Sequence, residues 1–159
     1  MNKLLSFLLT IFLLTGCTDP CKDIVCLNGS TCLEGLCLCQ DFYEGANCGT
    51  EERTKYFVSY TGTTTYSDAQ GNTNTYADSK VISTSPKGVA YVNFDGGIYG
   101  SLTSSGSGLF DIPAQSSSNP GASDSYFSGS GNFSGTYVTY TLTVENNGEI
   151  VTMSFTGTK

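Results

Sequence analysis

Residues 137–157 read YVTYTLTVENNGEIVTMSFTG, and this stretch indicates the fold class of most of the chain. Apolar and polar residues alternate on both sides of Asn147-Gly148, as they do in strands that bury one face. Asn-Gly favours a two-residue type I′ turn, which fixes the residues that stand opposite each other. The opposed apolar pairs are Val144 with Val151, Leu142 with Met153 and Tyr140 with Phe155. Because all six side chains then lie on one face, pattern and turn together predict an antiparallel hairpin.

The rest of the chain after residue 54 carries similar signals of short strands. The expected elements are strands at 56–61, 89–94, 98–102, 109–112 and 127–133, with Asp95-Gly96-Gly97 as a turn, Pro113 as a strand end and 114–125 as an exposed loop. No helical pattern of useful length interrupts them. We therefore expect residues 55–159 to form an all-antiparallel β-meander of about seven to nine strands, either a barrel or a sandwich.

The composition excludes several classes of function. The chain has no His, so it offers no imidazole base, no Ser/His or Cys/His pair and no His ligand for a metal. Its formal net charge of −7 makes it a poor partner for nucleic-acid phosphates, which need clustered Lys and Arg. Abundant Ser, Thr and Gly, together with ten Tyr and nine Phe, favour short aromatic strands over disorder. The composition thus predicts an extracellular β-protein that binds no nucleic acid.

Carboxylates are the remaining catalytic candidates in this β-rich part. Two of them could in principle act as a glycosidase pair. Most stand in expected turns or at strand ends, where Asp is a common turn residue. They are Asp68, Asp78, Asp95, Asp111, Asp124, Glu145 and Glu149. We therefore expect no catalytic residue, no cofactor and no enzymatic activity.

The first seventeen residues carry an export signal. A positive start at Lys3 is followed by an eleven-residue apolar run at 4–14, which is too short for a membrane span of about 20 residues. The next residues, Leu14-Thr15-Gly16-Cys17, resemble a bacterial lipobox. The resemblance implies that residues 1–16 are a signal peptide, that cleavage occurs before Cys17, and that the Cys17 sulfur receives a diacylglyceryl group. The alternative is an ordinary secretory signal that happens to end near a Cys.

Residues 17–20 would then form a lipidated tether, because two or more acyl chains anchor a protein stably to a membrane. Enterobacterial lipoproteins retained in the inner membrane carry Asp directly after the Cys, whereas this chain has Thr18, which favours the outer membrane. Surface-exported lipoproteins of some Gram-negative groups carry an acidic run there, but Pro20 interrupts such a run after Asp19. We expect a lipid-anchored protein of the cell envelope, on either the cell surface or the periplasmic face.

Six cysteines lie within residues 21–48, with the spacing C-x4-C-x5-C-x4-C-x1-C-x8-C. So short a stretch cannot bury a useful core, and disulfides would have to stabilise it, at about 2–4 kcal/mol each. Export supplies the oxidising compartment that disulfides need. Zinc is the alternative, but its sites usually pair two C-x₂₋₄-C knuckles, which this spacing does not repeat. Six cysteines allow many pairings, and the spacing alone does not choose among them.

Residues 26–32 (CLNGSTC) and 37–48 (CLCQDFYEGANC) resemble an epidermal-growth-factor-like (EGF-like) module over its whole length. The resemblance implies the disulfides Cys21–Cys32, Cys26–Cys37 and Cys39–Cys48. Calcium-binding members of that family carry acidic residues just before the first Cys and a hydroxylatable Asp or Asn between the third and fourth. Neither element is present at 18–20 or 33–36, so we expect no calcium or other metal site.

Residues 49–54 are expected to be a polar linker to the β-domain. The β-domain is similar in style to β-meander domains of lipoproteins from Bacteroidetes-type bacteria, a likeness that implies no activity. We expect a non-enzymatic, membrane-anchored lipoprotein in which an EGF-like spacer presents the β-domain to a protein or glycan. The alternative is a calycin-like barrel that binds a small apolar ligand in the periplasm. The strand tyrosines suit either half-buried strands or a sugar-stacking surface, and no ligand-binding residue can be named.

Overall fold

The computed structural model describes residues 19–94, 97–116 and 125–159. Strands dominate these residues, which confirms the mainly β fold class. The strands are β1 Thr31–Leu33, β2 Leu36–Leu38, β3 Tyr43–Glu44, β4 Thr50–Glu51, β5 Ser59–Ser67, β6 Thr73–Val81, β7 Ser83–Thr84, β8 Tyr91–Asn93, β9 Tyr99–Leu102, β10 Leu109–Ser116, β11 Ser125–Ser134, β12 Tyr137–Asn146 and β13 Glu149–Thr158. A 3₁₀ helix at Glu52–Tyr56 stands between β4 and β5. Within the described ranges, no helix has the length and apolar character needed to cross a membrane.

Nine strands form one antiparallel sheet that curls into a half-barrel. Their order is β6-β5-β13-β12-β11-β10-β9-β8-β7. This is the expected meander with one difference: the sheet is open between β6 and β7, and β13 pairs with β5 instead of forming an edge. Ile82 alone separates the two edge strands in the chain, so the sheet must curl until its edges approach each other. The result is one curled layer, not the two layers of a sandwich.

The β12–β13 hairpin has the register that its sequence predicts. Val144 stands opposite Val151, Leu142 opposite Met153, and Tyr140 opposite Phe155. Asn147 and Gly148 have φ values of 52° and 82°, as a type I′ turn requires. The predicted β8–β9 pairing is also present, although Asp95 and Gly96 of its turn lie outside the described residues.

The core fills the concave side of the sheet with aromatic rings. The Phe110 ring lies 4.8 Å from that of Phe133 and 5.3 Å from that of Phe94, measured between centroids. Gly131 lies beneath this cluster, where a Cβ would collide with Phe110 and with the Tyr140 Cβ. Glycine at this position therefore lets the rings approach the backbone of β11.

The predicted end of one strand is wrong. Pro113 was expected to close a strand at 109–112, but β10 continues to Ser116, with a register shift between Ile112 and Gln115. The shift accommodates proline, which has no N–H for the ladder. Residues 114–116 of the expected loop therefore belong to β10, and residues 117–124 lie outside the described part of the chain.

Residues 21–48 form a small unit that we call the disulfide module. It contains the disulfides Cys21–Cys32, Cys26–Cys37 and Cys39–Cys48, the same pairing that the EGF-like resemblance implies. β1 and β2 form a hairpin within it. The expected polar linker at 49–54 is instead part of the packed structure, because β4 pairs with β3 and the 3₁₀ helix begins directly after it.

Candidate functional site

The curled sheet has two different ends. The β5–β6 and β12–β13 turns lie at one end, since Ser67 at the close of β5 pairs with Thr152 near the start of β13. We call this the distal end. The opposite, proximal end carries the 3₁₀ helix, where Tyr56 stacks on Phe133 near the β11–β12 turn with ring centroids 4.1 Å apart.

Two buried charges, Glu52 and Arg53, close the proximal end; their exposed fractions are only 2% and 7%. Glu52 accepts hydrogen bonds from the Gly106 N–H at 2.9 and 3.0 Å and from the Tyr56 hydroxyl at 3.3 Å. Its carboxylate also lies 3.4 Å from the Lys55 ammonium. These contacts give the buried carboxylate the partners it requires, and they attach the 3₁₀ helix to the β9–β10 loop.

Arg53 attaches the same helix to the β7–β8 loop. Its Nη1 donates to the carbonyl oxygens of Ser85, Gly88 and Tyr91 at 2.8, 2.7 and 2.8 Å. Its Nε donates to the Glu51 carboxylate at 2.8 Å. The guanidinium group therefore contacts four acceptors at once, which offsets the cost of burying its charge.

The disulfide module is fixed to this proximal end. The Phe42 carbonyl accepts a hydrogen bond from the Glu52 N–H at 2.8 Å, and the Phe42 N–H donates to the Ser105 hydroxyl. Glu44 pairs with Lys55 at 2.9 Å. Because these contacts reach both the 3₁₀ helix and the β9–β10 loop, the module is a docked unit and not a loosely tethered one.

Two tyrosines are exposed on the concave face toward the distal end. Tyr66 on β5 and Tyr76 on β6 have exposed fractions of 37% and 46%. Tyr66 stands opposite Asn74, and Thr64 stands opposite Tyr76. The tyrosines therefore occupy diagonal positions on neighbouring strands, a separation that aromatic side chains can bridge.

A groove of about 540 Å³ lies between the two distal turns. We call it the distal groove. Tyr66 and Ile150 contribute apolar surface to it, and Asp68, Gln70 and Glu149 contribute polar groups. Its volume falls within the range of about 300–1,000 Å³ that is usual for ligand sites.

Asp68 is held in place within the distal groove. Its carboxylate accepts the Gln70 N–H at 3.0 Å, the Asn72 N–H at 2.8 Å and the Asn72 side-chain amide at 2.8 Å. The side-chain bond from Asn72 is the main cause that lowers the pKa of Asp68. Asp68 is therefore a charged and oriented acceptor at neutral pH.

A smaller, mainly apolar cavity of about 90 Å³ lies on the concave side, lined by core residues such as Phe94, Phe127 and Met153. The polar residues Thr64, Lys80 and Ser154 also line it. This volume is well below the roughly 300 Å³ at which ligand pockets usually begin.

Beside this cavity, Asp78 contacts both Thr64 and Lys80. Its Oδ2 accepts a hydrogen bond from the Thr64 hydroxyl at 2.6 Å and lies 2.9 Å from the Lys80 ammonium. Burial raises the pKa of Asp78, but the hydrogen bonds from Thr64, Lys80 and the Ser79 N–H outweigh it, so the pKa lies below the ordinary 3.8. Asp78 is therefore charged at neutral pH.

The distal groove has the chemistry of a surface that binds hydroxyl-rich molecules. A tyrosine ring offers an apolar face with a polar tip, on which a sugar ring can pack. Asp68, Gln70 and Glu149 offer carboxylate and amide groups to hydroxyls, and hydrogen bonds to charged acceptors are the stronger kind. The arrangement suits binding, because it combines a few polar groups with apolar surface in one concavity.

The residues predicted from the sequence are distributed as follows. Cys17 lies outside the described residues, and the other six cysteines are all in disulfides. Asp68 is at a turn as expected, whereas Asp78 and Asp111 lie inside β6 and β10. Asp95 and Asp124 are also outside the described part.

Sequence reasoning did not identify Tyr66, Tyr76 or the distal groove. The available signal was the Asn147-Gly148 turn, which places Glu149 and Ile150 at one end of the sheet. The pairing of β13 with β5 then brings the 68–70 turn to the same end, and that pairing carries no local sequence signature.

Among residues 19–94, 97–116 and 125–159, no group of three or more His, Cys, Asp or Glu is arranged to hold a metal ion. The chain matches no protein-family model, no curated protein and no solved structure.

Proposed function

We propose that this protein is a non-enzymatic lipoprotein of the bacterial cell envelope, anchored through Cys17 and presenting its distal groove to a glycan. The observation that carries the proposal is that the two ends of the molecule have different features. The disulfide module, which directly follows the proposed tether, is docked at the proximal end, and the distal groove lies at the other. In this arrangement the anchor and the binding surface do not compete for space.

The docked disulfide module acts as a rigid, protease-resistant spacer. Its three disulfides limit the unfolding that a protease needs. Its contacts through Phe42 and Glu44 transmit the position of the anchor to the sheet. Thr18, which follows Cys17 in place of the inner-membrane retention Asp, favours an outer-membrane location.

The volumes of the two spaces favour surface binding over the calycin-like alternative. The apolar cavity on the concave side holds about 90 Å³, whereas the distal groove holds about 540 Å³. A small apolar ligand of drug size needs a pocket of at least about 300 Å³. The larger and more polar space is therefore the better site.

The anchor is tested by Cys17→Ser in the native host. We expect this substitution to abolish incorporation of radiolabelled palmitate and to prevent cleavage before residue 17, because the thioether needs the cysteine sulfur. Thr18→Ser is the matched control and should retain both. Unchanged palmitate labelling and processing of Cys17→Ser would contradict the proposed anchor.

Glycan binding is tested on an array of bacterial and host polysaccharides with the detergent-solubilised full chain. Tyr66→Ala should weaken the Kd of a bound glycan about tenfold, since Tyr66 lines the distal groove and covering a large side chain contributes on the order of 1.5 kcal/mol. Tyr137→Ala is the control, because Tyr137 is an exposed tyrosine at the proximal end. Equal Kd values for Tyr66→Ala and Tyr137→Ala would contradict the distal site, and hydrolysis of a bound glycan would contradict the non-enzymatic assignment.

A further inference from the structure

The β1–β2 hairpin of the disulfide module exposes three leucines on one face. Leu33 stands opposite Leu36, and Leu38 stands opposite Thr31. Cys32 and Cys37 occupy the alternate positions and turn toward the disulfides, so the leucines point away from them. The exposed fractions of Leu33, Leu36 and Leu38 are 56%, 72% and 54%. We call these three residues the leucine face.

Apolar groups also surround the tip of this hairpin. A Cβ placed on Gly35 would lie 3.7 Å from the Pro20 Cβ and 4.0 Å from the Ile24 side chain, so both residues pack near the tip. Ile24 and its neighbour Val25 are themselves exposed, Val25 at 72%. A cluster of exposed apolar side chains on a soluble unit marks an interaction surface.

The short separation between Cys17 and the hairpin tip indicates what covers this surface. Pro20 lies near the hairpin tip and follows Cys17 by three residues, and three extended residues span at most about 11 Å. A lipid on Cys17 would therefore hold the tip within about that distance of the bilayer surface.

We propose that the leucine face and hairpin tip insert into the interfacial layer of the membrane that carries the lipid anchor. This inference rests on the proposed function, because it needs the lipid at Cys17. The occupant is a phospholipid bilayer surface: aliphatic side chains enter the boundary between headgroups and acyl chains, while the backbone stays near water. The contact sets the orientation of the module, and through its docking contacts that of the distal groove.

The charges around the tip specify the kind of bilayer. Asp19, Asp23 and Glu34 are exposed there, against the single ammonium of Lys22. This excess of carboxylates is repelled by anionic lipids and tolerated by zwitterionic ones. The surface therefore fits a zwitterionic leaflet.

The absence of tryptophan from the sequence allows a direct test. Leu36→Trp, made in the full lipidated protein, gives a single reporter on the leucine face. Ile150→Trp is the matched control, because Ile150 is 54% exposed but lies at the distal end. Both proteins are reconstituted into phosphatidylcholine vesicles, with and without nitroxide-labelled phosphatidylcholine.

We expect Leu36→Trp to show blue-shifted emission and strong quenching by the nitroxide, and Ile150→Trp to show neither. Adding Leu33→Asp to Leu36→Trp should return the emission toward that of water. Replacing half of the phosphatidylcholine with phosphatidylglycerol should reduce the blue shift. Far-UV circular dichroism checks that each variant is folded.

Two negative results are distinguishable. A protein that floats with the vesicles but keeps a water-exposed, unquenched Trp at position 36 contradicts membrane insertion and leaves the anchor standing. A protein that carries no acyl chain and does not float contradicts the anchor, and insertion with it.

Discussion

Arg53→Met is expected to lower the free energy of unfolding by about 3–5 kcal/mol, the usual cost of breaking a buried ionic network by removing one partner. The substitution keeps an unbranched apolar stem but removes the donors that reach Ser85, Gly88 and Tyr91. Three carbonyl oxygens near the proximal end would then lose a charged hydrogen bond, and buried acceptors without partners are costly. The loss is large beside a typical total stability of about 5–15 kcal/mol.

Urea unfolding followed by far-UV circular dichroism measures this effect. Lys22→Met is the matched control, since Lys22 is an exposed cation in the disulfide module, and it should change the free energy of unfolding by less than about 0.5 kcal/mol. Limited proteolysis should also show faster cleavage in the 85–90 loop of Arg53→Met. If the two Met variants are equally stable, Arg53 does not hold the proximal end.

Phe110→Ala is expected to cost a similar amount, about 3–5 kcal/mol, because it empties the centre of the aromatic cluster. Phe110 is 1% exposed and contacts Phe94 and Phe133. Phe133 in turn stacks on Tyr56 of the 3₁₀ helix, so the cavity would loosen the helix as well as the sheet. The glycine at position 131 offers no side chain to fill the space.

The neighbouring residue provides the control for this prediction. Leu109 lies on the same strand with its side chain on the opposite face, 49% exposed, and Leu109→Ala should change the free energy of unfolding by less than about 0.5 kcal/mol. Both variants are compared in urea with the disulfides intact. A Phe110→Ala protein as stable as Leu109→Ala would mean that the cluster contributes little.

The sequence predicts the parts of the fold that depend on local rules. The β12–β13 register follows from Asn147-Gly148 and the alternation around it, because a two-residue turn leaves one possible pairing. The mainly β class follows from the same alternation elsewhere.

What the sequence does not reveal depends on contacts between distant residues. Glu52 and Arg53 look like solvated linker charges, since charged residues are rarely buried; their burial is possible only because Gly106 and the 85–91 segment bring backbone partners to them. The pairing of β13 with β5 is equally remote. The distal groove depends on that pairing, so its residues could not be selected from the sequence.

The edge strand β6 has a consequence for self-association. Its outer backbone groups from residue 73 to 80 face no neighbouring strand of the described sheet, and such an edge is a template on which a second copy could add its own strand. Asp78 and Lys80, however, point to the concave side of this strand as an ion pair with 18% and 23% of their side chains exposed. Inward-pointing charges are a known barrier to edge-to-edge polymerisation, because an incoming strand would have to desolvate them. We therefore expect this ion pair to disfavour pairing of β6 with the same strand of a second copy.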